Sequence, residues 1–157
     1  MLDVLIAGGG YVGLSLAVSL KKAAPHLDVM VIDGAPEGAW KKDQRASAVA
    51  SAAERMLDVL GVWDEIAPEA EPIRRMVITD SKAADPVRPV FLTFDGDGGE
   101  GRPFAHMVPN TAMVGALRGA CAALGVVNRQ STMVESFKSG DHAVAVTLAG
   151  GEELEAR

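Results

Sequence analysis

A cluster of glycines near the start of the chain has the spacing needed to bind a diphosphate. The hexapeptide GGGYVG at residues 8–13 matches the pattern GxGxxG through Gly8, Gly10 and Gly13. The first glycine permits a tight turn after a strand, and the second lets a pyrophosphate approach the backbone. The third lets the following helix pack closely on the sheet. The hexapeptide alone is a weak signal, because glycine clusters also form ordinary turns.

An acidic residue at the correct distance strengthens the prediction of a dinucleotide site. Asp33 follows Gly13 by 20 residues and ends a second short apolar run. A carboxylate in that place can accept hydrogen bonds from a ribose, and it disfavours a phosphate on the same sugar. FAD or NAD is therefore expected rather than NADP. The alternative is a solvated turn residue, since Asp33-Gly34 is also a good turn pair.

The elements around the motif are those that such a site requires. Residues 3–7 and 28–33 are short runs of mainly apolar residues, as expected for buried parallel strands. Small and apolar positions between them predict a helix from Tyr11 to Ala24, which Pro25 ends. The backbone amides of Tyr11 and Val12 would then lie at the positive end of the helix, where negative ligands are favoured.

The rest of the chain alternates between helical and strand patterns. Together they predict an α/β fold, a Rossmann-like three-layer FAD/NAD(P)-binding fold with an antiparallel meander and part of an inserted substrate sheet. The expected domains are 1–73 with 104–157 for cofactor binding and 74–103 for the start of a substrate domain. The predicted elements are a helix Ser47–Leu60, strands Arg74–Thr79 and Val90–Phe94, a helix capped by Thr111 and ending near Leu124, a strand Val126–Gln130, a hairpin of Met133–Phe137 with Ala143–Leu148, and a strand from Glu152.

Composition excludes several other classes of protein. The formal net charge of -6 argues against a nucleic-acid partner, because phosphate binding needs a field of the opposite sign. The three histidines are scattered, so no metal site is expected. Cys121 lies in an alanine-rich apolar pattern and is read as a small core residue, with a nucleophile as the alternative. The uncharged run Val4–Leu20 has three consecutive glycines in its middle, which argue against a membrane span, and the expected location is cytoplasmic.

The order of elements distinguishes FAD from NAD. A nicotinamide dehydrogenase would continue with alternating helices and parallel strands, whereas this chain passes into a strand-rich insert and an antiparallel meander. Three segments then resemble the flavoprotein aromatic-ring hydroxylases of the para-hydroxybenzoate hydroxylase type, especially the ubiquinone-biosynthesis branch. These segments are 3–13 with Asp33, Arg45-Ala46-Ser47-Ala48 leading to Leu60-Gly61-Val62-Trp63, and His106-Met107-Val108-Pro109-Asn110.

The resemblance implies cofactor contacts outside the glycine motif. By that likeness Arg45 touches the cofactor and Asn110 reaches the flavin side. Arg45 offers a fork of donors suited to phosphate or ribityl oxygens, and its alternative is an exposed charge near a helix start. Asn110 could instead be a turn residue beside Pro109. The start of the meander is expected to supply backbone contacts to adenine, with Val134 as a candidate.

The resemblance also implies the activity. The complete enzyme would reduce FAD with NAD(P)H as co-substrate and use dioxygen to hydroxylate a phenolic or ubiquinone-precursor ring, a small aromatic substrate. No catalytic acid or base is identified, because the cofactor carries the chemistry. Two downstream flavin-binding motifs of the family are absent, so the chain is expected to be an N-terminal portion that is inactive alone. A ubiquinone-like substrate would bring peripheral membrane contact. The alternatives are another FAD oxidoreductase of the same fold and a non-catalytic dinucleotide-binding domain.

Overall fold

The first third of the chain folds as the predicted strand, helix and strand. The computed structural model describes three stretches of the chain, residues 1–82, 84–95 and 103–157. Strand β1 covers Val4–Ala7, helix α1 Tyr11–Ala23 and strand β2 Val29–Ile32. The two strands pair in parallel, with Val4 opposite Val29. This unit places the glycine loop at the carboxyl end of β1, as the sequence predicts.

The parallel sheet is the middle of three layers. Strand β8, Val127–Arg129, pairs in parallel with β2 and completes the order β1-β2-β8. One face is covered by α1, which packs against the later helix α4 (Asn110–Ala123). An antiparallel meander adjoins the other face, and its strands are β9 (Val134–Ser139), β10 (Val144–Leu148) and β11 (Glu153–Ala156).

Alternation of side chains along β2 connects the two cores. Val29 and Val31 face the helices and are buried in the main core, which also contains Leu14 and Leu117. Ile32 points the other way and is buried in a second cluster with residues of the meander. Because both faces are covered, β2 is apolar at every position, as expected for a strand inside a parallel sheet. The predicted α/β three-layer fold is confirmed.

The predicted helix over Ser47–Leu60 is wrong in its first part. Residues Ala46–Ala50 form strand β3, and helix α2 covers only Ser51–Val59. Strand β3 pairs in antiparallel fashion with β7, Ala105–Pro109, a partner almost 60 residues later in the sequence. Alanine, serine and valine form either structure at small cost, so this long-range pairing decides the conformation.

The predicted role of Thr111 as a helix cap is also wrong. Helix α4 begins one residue earlier, at Asn110, and Pro109 precedes it without a side-chain capping bond. The N–H of Asn110 instead donates to the carbonyl oxygen of Arg45 at 3.0 Å. Strand β7 leads directly into α4, and the segment that ends at Arg45 accepts the hydrogen bond from the first N–H of the helix. A capping hydroxyl from Thr111 is therefore not needed. Asn110 is thus a buried first residue of a helix, not a turn residue.

The remaining elements form the periphery. Helix α3 is Trp63–Ile66, and strand β4, Glu71–Ile73, pairs with the second edge of β7. Strands β5 (Arg75–Thr79) and β6 (Val90–Asp95) pair with each other as a separate antiparallel hairpin. The predicted strands are confirmed there, while the division into 1–73 with 104–157 and 74–103 stays a prediction. Residues 83 and 96–102 of that insert lie outside the described residues.

The hairpin of β5 and β6 leaves many apolar side chains in solvent. Phe91 is 72% exposed, and Val90, Phe94 and Val77 are each about half exposed or more.

Among the helices of the described residues, none has the length and apolar character needed to cross a membrane.

Cys121 provides a test of the main core. Its side chain is buried in α4, and burial raises the pKa of the thiol to about 11. The thiol therefore stays protonated and shielded at neutral pH. We expect no reaction with a thiol reagent such as DTNB in the native protein, and rapid reaction after unfolding in urea.

A matched control moves the thiol by one residue. Ala122 is exposed on the same helix, so the double variant Cys121→Ala/Ala122→Cys should react within seconds in its native state. Equal reactivity of the two native proteins would contradict the described packing of α4.

Candidate functional site

The glycine loop brings α1 as close to β1 as the backbone permits. Gly8 has a φ of +119°, a conformation that side chains disfavour. A β-carbon placed on Gly13 would collide with the carbonyl oxygen of Gly8 and lie 3.2 Å from Cγ2 of Ile6. Gly13 thus has no room for any side chain, because the first turn of α1 rests on the loop. Both positions have the mechanical roles that the sequence predicts.

Gly10 has the opposite surroundings. A β-carbon built on Gly10 would meet no atom within 4 Å, and the residue lines an open cavity. Gly10 precedes α1 without a side-chain cap, and the first turn contains no acidic residue. The amides at the head of α1 therefore face this space without a carboxylate to compete for them. The site fits a diphosphate, since Gly10 leaves empty the volume that a β-carbon would fill.

Asp33 is fixed against the loop by backbone donors. The N–H of Gly9 donates to Oδ2 of Asp33 at 3.1 Å, and the N–H of Ala35 donates to Oδ1 at 2.9 Å. Each carboxylate oxygen keeps a further lone pair that a ribose hydroxyl could use. A β-carbon on Gly9 would lie 2.7 Å from Oδ2. The middle glycine is therefore required by Asp33, a role that the GxGxxG pattern does not assign.

The glycine loop and Asp33 line one cavity of about 670 Å³, a volume typical of cofactor sites. Among its lining residues in the described part of the chain, the charged ones are Asp33, Asp43 and Arg45. The cavity brings together eight of the nine predicted site residues, namely Gly8, Gly10, Tyr11, Val12, Gly13, Asp33, Arg45 and Asn110. Val134 is not among them, because its side chain packs into the second hydrophobic cluster. Its predicted backbone contact to adenine stays a prediction.

A hydrogen-bonded network joins Arg45 to Asn110. Asp43 accepts from Nε and Nη2 of Arg45, both at 2.8 Å, and from the Arg45 backbone N–H at 3.0 Å. The side-chain amide of Asn110 donates to Oδ2 of Asp43 at 3.1 Å. Its carbonyl oxygen accepts from the hydroxyl of Ser47 at 2.8 Å. The two residues that the family resemblance predicts as cofactor contacts are thus connected through one carboxylate.

The network keeps Asp43 ionised. The side chain of Arg45, its backbone N–H and the Asn110 amide together hold the pKa of Asp43 well below its usual range. The same pairing raises the pKa of Arg45. Both groups are therefore charged at any physiological pH.

Sequence reasoning missed four residues of this site. Gly9, Trp40 and Asp43 line the cavity, and Ser47 orients Asn110. Trp40 packs along α4, where Gly115 leaves it room, and Arg118 lies 5.9 Å from its ring centre. The signals were the middle glycine of the loop, Gly9, and the Asp-x-Arg spacing of Asp43 and Arg45, both visible in the sequence.

Metal chemistry has no visible basis in this part of the chain. Within residues 1–82, 84–95 and 103–157, no three His, Cys, Asp or Glu side chains are grouped to hold an ion.

The fold and the cavity together define a dinucleotide-binding domain of the flavoprotein type. The family model described as "FAD binding domain" matches residues 1–157, which is the whole chain. The chain therefore belongs to the FAD-binding domain family, and its cofactor is FAD. The predicted resemblance to FAD-dependent hydroxylases is confirmed by its relatives.

Two of those relatives are named hydroxylases. Ubiquinone hydroxylase UbiL of Rhodospirillum rubrum is 34% identical over 99% of this chain and 35% of its own length. The 3-demethoxyubiquinol 3-hydroxylase of Escherichia coli is 30% identical over 99% of this chain and 39% of its own length. The chain thus spans a little over a third of these curated relatives.

Solved structures have the same fold. The p-nitrophenol 4-monooxygenase PnpA of Pseudomonas putida DLL-E4 superposes with a TM-score of 0.77 at 19% identity, covering 99% of this chain and 39% of that one. The Diels-Alderase PyrE3 gives a TM-score of 0.74 at 25% identity, with 99% and 31% covered. This chain is thus an FAD-binding domain related to those of the ubiquinone hydroxylases.

The contrast between Gly10 and Gly13 yields a first prediction for the site. Gly13→Ala should lower the free energy of unfolding by about 1–3 kcal/mol, because its methyl group overpacks the contact with Gly8. Gly10→Ala should leave the melting temperature within about 2 °C of the wild type, yet weaken FAD binding at least about tenfold by filling the diphosphate space. Calorimetric melting and FAD titration of both variants measure the difference. Equal effects of the two substitutions on stability would contradict the geometry.

The contact between Gly9 and Asp33 yields a second prediction. In Gly9→Ala the new methyl group displaces the Asp33 carboxylate, so FAD affinity should fall to a level similar to that of Asp33→Ala. The isosteric Asp33→Asn serves as the control, since it keeps an oxygen for the Gly9 N–H while removing the charge. Titration of FAD into the three variants provides the comparison. Wild-type affinity in Gly9→Ala would disprove the role given to the middle glycine.

Proposed function

We propose that the whole protein is an NAD(P)H-dependent monooxygenase that hydroxylates a phenolic or ubiquinone-precursor ring. The observation that carries this proposal is a cavity lined by the glycine loop and Asp33, in a chain whose relatives include a ubiquinone hydroxylase and a demethoxyubiquinol hydroxylase. In the balanced reaction, one atom of dioxygen enters the ring and the other leaves as water. NAD(P)H provides the two electrons.

The residues of this chain would bind and orient the cofactor. The amides of Tyr11 and Val12 would meet the diphosphate over Gly10, and Asp33 would accept hydrogen bonds from the ribose. When bound, FAD supplies the electron transfer and the dioxygen chemistry, while the protein positions the ring and limits water. Arg45 and Asn110 would contact the ribityl and flavin side. Val134 would offer backbone atoms to adenine.

The remaining features of the proposal concern the whole protein. Residues 1–73 and 104–157 would form the cofactor domain, and 74–103 would begin the substrate domain. A ubiquinone precursor is largely apolar, so the whole protein would work in the cytoplasm at the membrane surface.

A second candidate follows from the likeness to the Diels-Alderase PyrE3. In this alternative the same FAD domain belongs to a protein that forms rings without net oxidation. FAD would then support the fold, and the reaction would need neither NAD(P)H nor dioxygen.

The experiment has two stages. The 157-residue chain is titrated with FAD, and we expect binding that is lost in Gly10→Val. The full-length protein is then incubated with NAD(P)H, phenolic substrates and ¹⁸O₂, and a product carrying one ¹⁸O atom is expected. A full-length protein that never takes up FAD would refute the proposal. Product formed without NAD(P)H or dioxygen would favour the second candidate.

A further inference from the structure

The network around Asp43 runs from the interior of the protein to its surface. Asn110 is 6% exposed and is fixed by Ser47 on one side and by the Arg45 carbonyl on the other. The side chain of Asp43 is 21% exposed, and that of Arg45 is 81% exposed. Exposure therefore increases outward along the network, from the buried amide of Asn110 to the guanidinium of Arg45 at the surface.

An arginine with this exposure would normally sample many rotamers. Restricting a long side chain costs entropy, and a ligand that must order it binds less tightly. Asp43 accepts three hydrogen bonds from Arg45, one of them from the backbone, and this holds the guanidinium at the cavity wall. The pair uses Nε and Nη2 of Arg45, so Nη1 lies outside it and can face a ligand.

We propose that Asp43 is a positioning residue for the cofactor: anchored by Asn110, it fixes Arg45 in the orientation in which the guanidinium meets bound FAD. This inference rests on the proposed function, since it concerns the same cavity. According to this inference, Asp43 strengthens the binding of FAD although both carry negative charge. Coulomb's law alone gives Asp43 the opposite effect, because its charge repels a diphosphate and neutralises Arg45.

Positioning of Arg45 and Coulomb repulsion predict opposite changes in FAD affinity for Asp43→Asn. This variant therefore distinguishes between them. Positioning predicts that FAD binds about 2- to 12-fold more weakly to Asp43→Asn, the range expected for ordering one long side chain. Electrostatics alone predicts tighter binding. Titration of FAD into the wild type and Asp43→Asn, followed by flavin absorbance, measures the sign directly.

Glu152→Gln is the matched control. Glu152 also holds an arginine through two side-chain hydrogen bonds, from Nη1 and Nη2 of Arg129 at 2.8 and 2.7 Å, and neither residue lines the cavity. This variant removes the same charge, and we expect FAD affinity within twofold of the wild type. The melting curve of Glu152→Gln should lie near that of the wild type, because the Glu152–Arg129 pair is at the surface, with side chains 51% and 33% exposed.

A double-variant cycle tests whether Asp43 acts through Arg45. In the Arg45→Ala background, Asp43→Asn should change FAD affinity by less than about twofold. An equal loss in both backgrounds would overturn the inference, and so would unchanged or tighter binding in Asp43→Asn alone. Failure of the wild-type chain to bind FAD is a different result, which counts against the proposed function.

The ligand-free protein offers an independent measurement. With Asp43 intact, the Nε–H of Arg45 should give a resolved NMR signal that exchanges slowly with water. Asp43→Asn should broaden this signal by faster exchange, whereas Glu152→Gln should leave it unchanged. A rapidly exchanging Arg45 signal in the wild type would overturn the positioning role.

Discussion

The contact between the first turn of α1 and the loop after β1 is the constraint on which the rest of the site depends. Gly13 lies against the carbonyl of Gly8 with no space for a side chain, so the helix begins as close to the sheet as the chain allows. This approach aims the free amides of the helix at the cavity, and it places Gly9 beside Asp33. The two functions proposed for this site, binding a diphosphate and binding a ribose, would therefore both depend on one backbone contact.

Charged side chains contribute less to anion binding at this site than is expected for a phosphate ligand. The chain carries a net charge of -6, and the cavity presents two carboxylates with Arg45, whose guanidinium is already paired. The attraction for an anion must come mainly from oriented backbone amides, whose partial charges need no counterion and cannot titrate. Such a site tolerates an acidic protein surface, because its selectivity is local and depends on geometry.

Local patterns predicted the parts of the fold that depend on local physics. The parallel strands, α1, and the three strands of the meander follow from short apolar runs, alternation and terminators such as Pro25. The region from Ala46 to Ala50 could not be predicted in this way, because its conformation depends on pairing with β7 far along the chain. The same pairing explains one part of the site that was missed, the contacts of Asp43 and Ser47 with Asn110. Asp43 and Ser47 matter because they meet Asn110, and no sequence spacing encodes a contact across 67 and 63 positions.

The hairpin of β5 and β6 has a practical consequence for anyone who handles this chain. In the described part of the chain it is a two-stranded sheet with aromatic and branched side chains exposed along both strands, and such strand edges can pair with other chains. The hairpins of two molecules can pair edge to edge through backbone hydrogen bonds. The extended sheet then presents a new edge to a further molecule. Association in concentrated solution would then depend on the eleven residues of these two strands, none of which lines the candidate site.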